Sequence, residues 1–138
     1  MSINYRRIAP RIYYICYEGQ IGWSDLKEGQ TELYHYIDRY GELDDKYIII
    51  YERKTMSYQF QINFSNAKAM LQQTPKLRAD DSIFIGFPKT LQAITSWMHK
   101  LLSKEGDVHF VSTLDNALDL AYALLGAQGM DGVAKTPT

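Results

Sequence analysis

Residues 47–51 read YIIIY and residues 82–87 read SIFIGF. Continuous apolar runs of this length are typical of strands that are covered on both faces, as in a mostly parallel sheet. Residues 11–18 (RIYYICYE) and 108–111 (VHFV) are also rich in β-branched and aromatic residues, which predicts two more strands. The four runs therefore predict the strands of one central sheet.

Amphipathic helices separate these runs. Ser24 or Asp25 can cap the first helix, whose apolar stripe ends at Tyr40, and Ser112 can cap the last helix. Ser65 or Asn66 can cap a short helix that precedes the third strand. The predicted helices cover residues 25–40, 67–73, 90–104 and 114–126.

The alternation of strands and helices predicts an α/β fold. We expect a single domain with a mostly parallel, four- to five-stranded central sheet flanked by helices. The domain should span residues 1–126, and residues 127–138, which are mainly small, polar or glycine, should form a flexible C-terminal tail. Residues 58–64 alternate between aromatic or apolar and polar side chains, which predicts an extended segment or a long surface loop.

Composition limits the partners and the compartment. The chain has 138 residues, and its 15 Lys and Arg against 16 Asp and Glu give a formal net charge of −1. This balance provides no field for binding a nucleic-acid backbone or an anionic membrane. The apolar stretch at residues 12–17 is too short to insert into a membrane. One cysteine, Cys16, excludes an internal disulfide and favours a cytoplasmic location.

Sequence patterns typical of catalytic or metal sites are missing. His35, His99 and His109 lie on separate predicted elements, and no local spacing brings them to a carboxylate. The acidic pairs at residues 44–45 and 80–81 are interpreted as solvated loop residues. Burial in a strand should raise the thiol pKa of Cys16 and reduce its reactivity. We therefore predict a protein that is not an enzyme and that has no metal site and no cofactor.

Tyrosine is unusually frequent, with eleven copies. A ring with a polar tip suits protein interfaces and ligand pockets, although a tyrosine-rich core and surface is the simpler interpretation. The candidate contact residues for a partner or a ligand are Tyr14, Trp23, Tyr34, Tyr36, Tyr58 and Phe60.

The sequence resembles the SpoIIAA-like branch of the STAS domain (sulfate transporter and anti-sigma-factor antagonist). The resemblance lies in the strand at residues 82–87, the helix end LLSKEG at residues 101–106, and the phrase VHFVSTLDNAL at residues 108–118. The opening is also similar, with YEG at residues 17–19 followed by a capped helix at SDL, residues 24–26. The resemblance as a whole covers about residues 11–126.

This resemblance implies a small α/β domain that binds proteins and does not catalyse a reaction. In signalling members of the family, a partner kinase phosphorylates a serine at the start of the second helix, within the phrase Asp-Ser-Ser-Gly. The matching place here is NFSNA at residues 63–67, so the resemblance implies Ser65 as the phosphorylation site. The aspartate and the glycine of that phrase are absent, and helix capping alone also explains Ser65.

Three function hypotheses follow. The first is a cytoplasmic regulatory or protein-interaction module of STAS type, in which a kinase or regulator is the partner. The second is a carrier or sensor of a small apolar, lipid-like ligand in a tyrosine-rich pocket. The third, an enzyme, requires a histidine to meet a carboxylate in a cleft. A homodimer is compatible with each, because an extended apolar segment at a sheet edge favours pairing with a second copy.

Overall fold

The computed structural model describes residues 2–58, 69, 79–102 and 106–129. Its centre is one five-stranded sheet in which the strands lie side by side in the order of the chain. The elements are β1 (Ser2–Ala9), β2 (Ile12–Ile21), α1 (Trp23–Arg39), β3 (Ile48–Tyr58), β4 (Asp81–Ile85), α2 (Lys89–Leu102), β5 (Asp107–Val111) and α3 (Leu114–Gly129).

The four apolar runs form the parallel part of the sheet, as predicted. Strands β2 to β5 pair in parallel with their neighbours. In this register Ile12 lies opposite Ile48, Ile48 lies opposite Asp81, and Asp81 lies opposite Asp107. Ile48, Ile49 and Ile50 are fully buried because helices cover both faces of β3. The predicted fold class, a single-domain α/β fold with a mostly parallel sheet, is confirmed.

The fifth strand, β1, was not predicted. It pairs antiparallel with β2 through a tight turn at Pro10 and Arg11. Arg11 has a φ of 66°, a left-handed conformation that non-glycine residues rarely adopt. Ile3 and Tyr5 alternate with polar residues and pack against the core, as in a strand with one buried face. The alternation is short and is followed by Arg6 and Arg7, so it did not predict a strand.

Helices pack on both faces of the sheet. The buried residues of α1 and the partly buried Ile94 and Trp97 of α2 pack on one face. This is expected, because crossovers between adjacent parallel strands are almost always right-handed in proteins. Helix α3 returns across the other face and contacts β3, β4 and β5. The core residues of α3 are Ala117, Ala121 and Leu125.

The helix ends differ in detail from the predictions. Gly22, not Ser24 or Asp25, is the N-cap of α1, and the Asp25 carboxylate accepts the Gly22 N–H at 2.8 Å. The Thr113 hydroxyl, not Ser112, accepts the Asn116 N–H at the start of α3.

Two elements, β3 and α3, are longer than predicted. Two other predicted segments lie outside the described residues. Strand β3 continues to Tyr58 instead of ending near residue 51, and α3 continues to Gly129, three residues past its predicted end. The short helix predicted at 67–73 and the segment 59–64 fall outside the described residues, except for the helical residue 69. Residues 1–126 as one domain with a flexible tail therefore remain a prediction.

Replacing Gly106 by alanine should destabilise the fold by about 2–4 kcal/mol. Gly106 has a φ of 96°, and an added Cβ would lie 2.7 Å from the carbonyl oxygen of Asp80, a backbone atom that cannot move aside cheaply. Gly126→Ala is the matched control, because it lies in α3 with open space around the added Cβ and should stabilise the helix by up to about 1 kcal/mol. Denaturant unfolding of both variants measures the difference, and equal stabilities would contradict the packing described.

Candidate functional site

A buried carboxylate organises one end of the molecule. Glu42 follows α1, is 8% exposed, and binds three groups from the β1–β2 hairpin. The Arg7 guanidinium donates to both of its oxygens at 3.3 and 2.9 Å, and the Arg11 N–H donates at 3.1 Å. The Tyr13 hydroxyl donates to the same carboxylate. Glu42 therefore joins β1, the strained turn, β2 and the end of α1.

Aromatic rings and guanidinium groups surround this carboxylate. The Tyr36 and Tyr40 rings meet edge to face with centroids 5.4 Å apart, and both lie beside Tyr13, at 6.1 and 6.3 Å. The Arg7 guanidinium lies 4.4 Å from the centroid of Tyr40, and that of Arg39 lies 5.3 Å from the centroid of Tyr36. We call Arg7, Tyr13, Tyr36, Arg39, Tyr40 and Glu42 the tyrosine–arginine cluster.

The surroundings of the cluster shift the pKa values of Glu42 and Tyr13. Burial by itself would raise the pKa of the Glu42 carboxyl, but the hydrogen bonds from Arg7, Tyr13 and the Arg11 amide outweigh it and lower the pKa. Burial and the contact with Glu42 raise the pKa of the Tyr13 hydroxyl. Glu42 is therefore the charged acceptor and Tyr13 a neutral donor at neutral pH.

A polar groove lies on the opposite face of the sheet. Its volume is about 260 Å³, and it lies over β1, β2 and the end of β3, beside the area that α3 covers. We call this the β1–β3 groove; it is lined by Asn4, Tyr5, Arg6, Tyr14, Cys16, Glu18 and Lys54.

Tyr14 and Cys16 form the floor of the groove. The Tyr14 hydroxyl donates to Glu52, and the Arg6 guanidinium lies 5.1 Å from the centroid of the Tyr14 ring. Cys16 is 3% exposed, and burial raises the pKa of its thiol, as the sequence predicted. At neutral pH the thiol stays protonated, so it does not supply a thiolate nucleophile.

One histidine meets a carboxylate. The Nε2 atom of His109 in β5 lies 2.8 Å from Oδ1 of Asp81 in β4, and the two side chains are 28% and 5% exposed. The interpretation of Asp81 as a solvated loop residue was therefore wrong, because it begins a buried strand and bonds to the neighbouring strand. His35, by contrast, is exposed on α1, and the side chain of His99 is outside the described part.

The structure separates the predicted contact residues. Tyr14 lies in the β1–β3 groove, whereas Tyr34 and Tyr36 lie on the other face, packed against the core around α1. Trp23 begins α1 and Tyr58 ends β3, but their side chains are outside the described part of the chain. Ser65 and Phe60 are outside it altogether.

Of the six members of the cluster, Tyr36 alone was among the predicted contact residues, and Glu42 and Tyr40 show why the others were missed. Glu42 contacts residues 29 to 35 positions away, and no local pattern indicates such contacts. Tyr40 was placed on the apolar stripe of α1, but its side chain is 47% exposed because it lies at the C-cap, beyond the core-facing turns.

Two negative findings apply to the described ranges alone. Residues 2–58, 69, 79–102 and 106–129 contain no group of three or more His, Cys, Asp or Glu arranged to hold a metal ion. No helix within those ranges has the length and apolar character needed to cross a membrane.

The fold is the STAS fold in its SpoIIAA-like form, a mixed five-stranded sheet with helices on both faces. A similar solved structure is that of the anti-sigma factor antagonist SpoIIAA in its unphosphorylated form. It superposes with a TM-score of 0.53 at 10% sequence identity, over 86% of this chain and 96% of SpoIIAA. The predicted fold resemblance is thereby confirmed. No protein-family profile matches the sequence, and no curated protein sequence matches it.

Stability should fall in acid through the protonation of Glu42. The pKa of the Glu42 carboxyl is lower in the folded state than its ordinary value of 4.5, so the unfolded chain binds the proton at a higher pH than the folded chain. The stabilising contribution of Glu42 is therefore lost as the pH drops below 4.5. Glu42→Gln should cost about 1–3 kcal/mol at pH 7 and flatten the acid limb of the stability profile. Urea unfolding from pH 7 to pH 3 measures both effects. An unchanged slope in the variant would contradict the assignment.

Proposed function

We propose that the protein is a non-enzymatic regulatory module that acts by binding a protein partner in the cytoplasm. The observation that carries this proposal is the SpoIIAA-like STAS fold. SpoIIAA is described as an anti-sigma factor antagonist, a name that assigns its action to another protein. We transfer to this chain only the general mode, regulation by protein binding, and propose that the partner is a kinase or a regulator.

The tyrosine–arginine cluster is the proposed contact surface. Tyrosine and arginine are enriched among the residues that dominate the binding energy of protein interfaces. Tyr40 and Tyr122 are the large hydrophobic side chains that stand out as exposed among the described residues, at 47% and 54%. Of these, Tyr40 is held by neighbours, since its ring packs between Arg7 and Tyr36. A ring fixed before binding loses less conformational entropy when a partner covers it.

The apolar-ligand hypothesis finds no support in the tyrosines that the structure describes. The rings of Tyr13, Tyr36 and Tyr40 pack edge to face against one another instead of lining a cavity. Tyr5 and Tyr14 line the β1–β3 groove, which is polar. The groove that is present has charged residues in its walls.

Tyr40→Ala should strongly reduce partner capture. Removing a ring at the centre of an interface typically costs 2 kcal/mol or more, which corresponds to a loss of affinity of about 30-fold. Tyr122→Ala removes an equally exposed tyrosine from α3 and should leave capture unchanged. Quantitative mass spectrometry of proteins captured from the native cells by each variant, after thermal unfolding confirms that both are folded, gives the comparison. A partner retained by both variants would place the contact surface elsewhere.

The resemblance to the phosphorylated members of the family makes Ser65 the proposed regulatory site. A phosphate at the start of a helix is stabilised by free backbone amides and by the helix dipole. Intact mass spectrometry of the protein from native cells should show a fraction heavier by one phosphate, and Ser65→Ala should lack it. Phosphate that persists in the Ser65→Ala variant would refute the site.

A further inference from the structure

Charge is distributed unevenly along the chain. Residues 53–104 contain eight Lys or Arg and two Asp or Glu, a net charge of +6. The other 86 residues contain seven Lys or Arg and fourteen Asp or Glu, a net charge of −7. The near-neutral total therefore conceals a basic segment, residues 53–104, which runs from within β3 to just past the end of α2.

The two acids of the basic segment lie far from its first cation. They occupy positions 80 and 81, at the start of β4, where Asp81 is buried and bonds to His109. Arg53 lies just past the other end of β4, because β4 ends at Ile85, opposite Glu52. Five residues of strand, about 16 Å, separate the levels of Asp81 and Arg53 in the sheet. The acids at positions 80 and 81 therefore do not neutralise Arg53.

Arg53 is a cation that the fold leaves unsatisfied. It lies opposite Tyr17, so its side chain is on the face of the sheet that α1 and α2 cover. Within the described residues its Nε atom is buried without a hydrogen-bond partner, and neither ion pair includes it. Residues 55–79, which follow in the sequence, contain no Asp or Glu that could supply a carboxylate. Folded proteins rarely retain a buried donor without a partner, because desolvating it is costly.

An aromatic ring and a second cation follow the turn that contacts Arg53. The chain turns at Gly86, whose φ is 75°, and a Cβ added there would lie 3.6 Å from the carbonyl oxygen of Arg53. The ring of the half-buried Phe87 packs against Phe84 with centroids 5.3 Å apart, and α2 begins at the exposed Lys89. The first turn of α2 contains no acidic residue to balance this lysine. We call Arg53, Gly86, Phe87 and Lys89 the basic edge.

Lys54 does not belong to the basic edge. Its side chain alternates to the other face of the sheet, where it lies opposite Glu18 in the register. Glu52 is on that face as well, two residues earlier in β3. The charge of Lys54 is therefore balanced within the β1–β3 groove, whereas that of Arg53 is not.

We propose that the basic edge docks an acidic segment of the protein partner, and that a carboxylate of this segment bonds to Arg53. The proposal rests on the proposed function, in which the partner is a protein. The Arg53 side chain is partly exposed, so its guanidinium can turn outward and present Nε and a terminal nitrogen to one carboxylate. Phe87 adds aromatic surface beside the charges, and arginine with aromatic residues is enriched in protein interfaces.

The charge distribution favours a short acidic segment over an extended polyanion. A nucleic acid or an anionic membrane presents negative charge over a wide area, which would also meet the part of this chain that carries a net charge of −7. A short segment contacts the basic edge alone. The tyrosine–arginine cluster remains accessible, because its Tyr13 lies opposite Ile49 and Arg53 is four residues further along β3.

Binding of a fluorescently labelled decaglutamate peptide to the purified full chain tests the proposal, with fluorescence anisotropy as the measurement. The wild type should bind the peptide at low salt, and the affinity should fall as salt is added. Arg53→Met and Lys89→Glu should each raise the dissociation constant by about fivefold, because each removes a charge pair. Arg53→Met should leave the midpoint of thermal unfolding unchanged or raise it, because it replaces an unpaired, partly buried charge by an apolar side chain of similar length.

Matched controls separate the basic edge from a general effect of charge. Arg6→Met and Lys46→Glu repeat the two substitutions at exposed positions outside the basic segment and should leave peptide affinity unchanged. The proposal is overturned by a wild type that does not bind the peptide, by an equal loss in the controls, or by an Arg53→Met variant with a lowered unfolding midpoint. Tighter binding to an oligothymidylate of equal charge or to anionic vesicles also overturns it. Partner capture by the Tyr40→Ala variant is measured without the peptide, so failure of the peptide test leaves the proposed function standing.

Discussion

The Glu42 carboxylate is the contact on which the β1 side of the structure depends. β1 is an edge strand whose one neighbouring strand in the sheet is β2. The turn between them contains Arg11 in a left-handed conformation that costs free energy. Glu42 accepts the Arg11 N–H and binds the side chains on either side of the turn. A charged acceptor with several hydrogen bonds is among the stronger polar interactions in a protein. The hairpin, the end of α1 and the aromatic cluster are therefore positioned together.

The same hairpin edge is protected from pairing. The Tyr36 hydroxyl accepts the backbone N–H of Arg7 at 3.1 Å, so a side chain of α1 uses a donor of β1. Exposed edge donors are templates for aggregation, and covering them is a common protection. Tyr36 thus has a role in the fold in addition to its place in the proposed contact surface, and its substitution would mix the two effects. For this reason Tyr40 is the better probe of binding.

The parallel sheet could be predicted from the sequence because its signal is local. The isoleucines of β3 and the apolar residues of β4 are contiguous, and burial on both faces requires that pattern. The site could not be predicted in the same way. Glu42 binds partners about 30 residues away in the sequence. Asp81 bonds to His109, but in the sequence it stands next to another aspartate and was interpreted as a loop residue. Tyr40 continues the apolar stripe of α1 but lies beyond the core. These contacts arise from tertiary packing, for which a single sequence carries no periodic signal.

The strand order has a consequence for synthesis of the chain. Each strand lies beside the strand that precedes it in the sequence, beginning with a hairpin closed by a two-residue turn. A nascent chain can therefore add strands to a growing sheet as they leave the ribosome, without waiting for a distant segment to insert between them. Helix α3 covers the apolar second face of β3, β4 and β5. That face stays exposed until α3 has been synthesised, so the interval before α3 docks is when a chaperone would protect the nascent protein most.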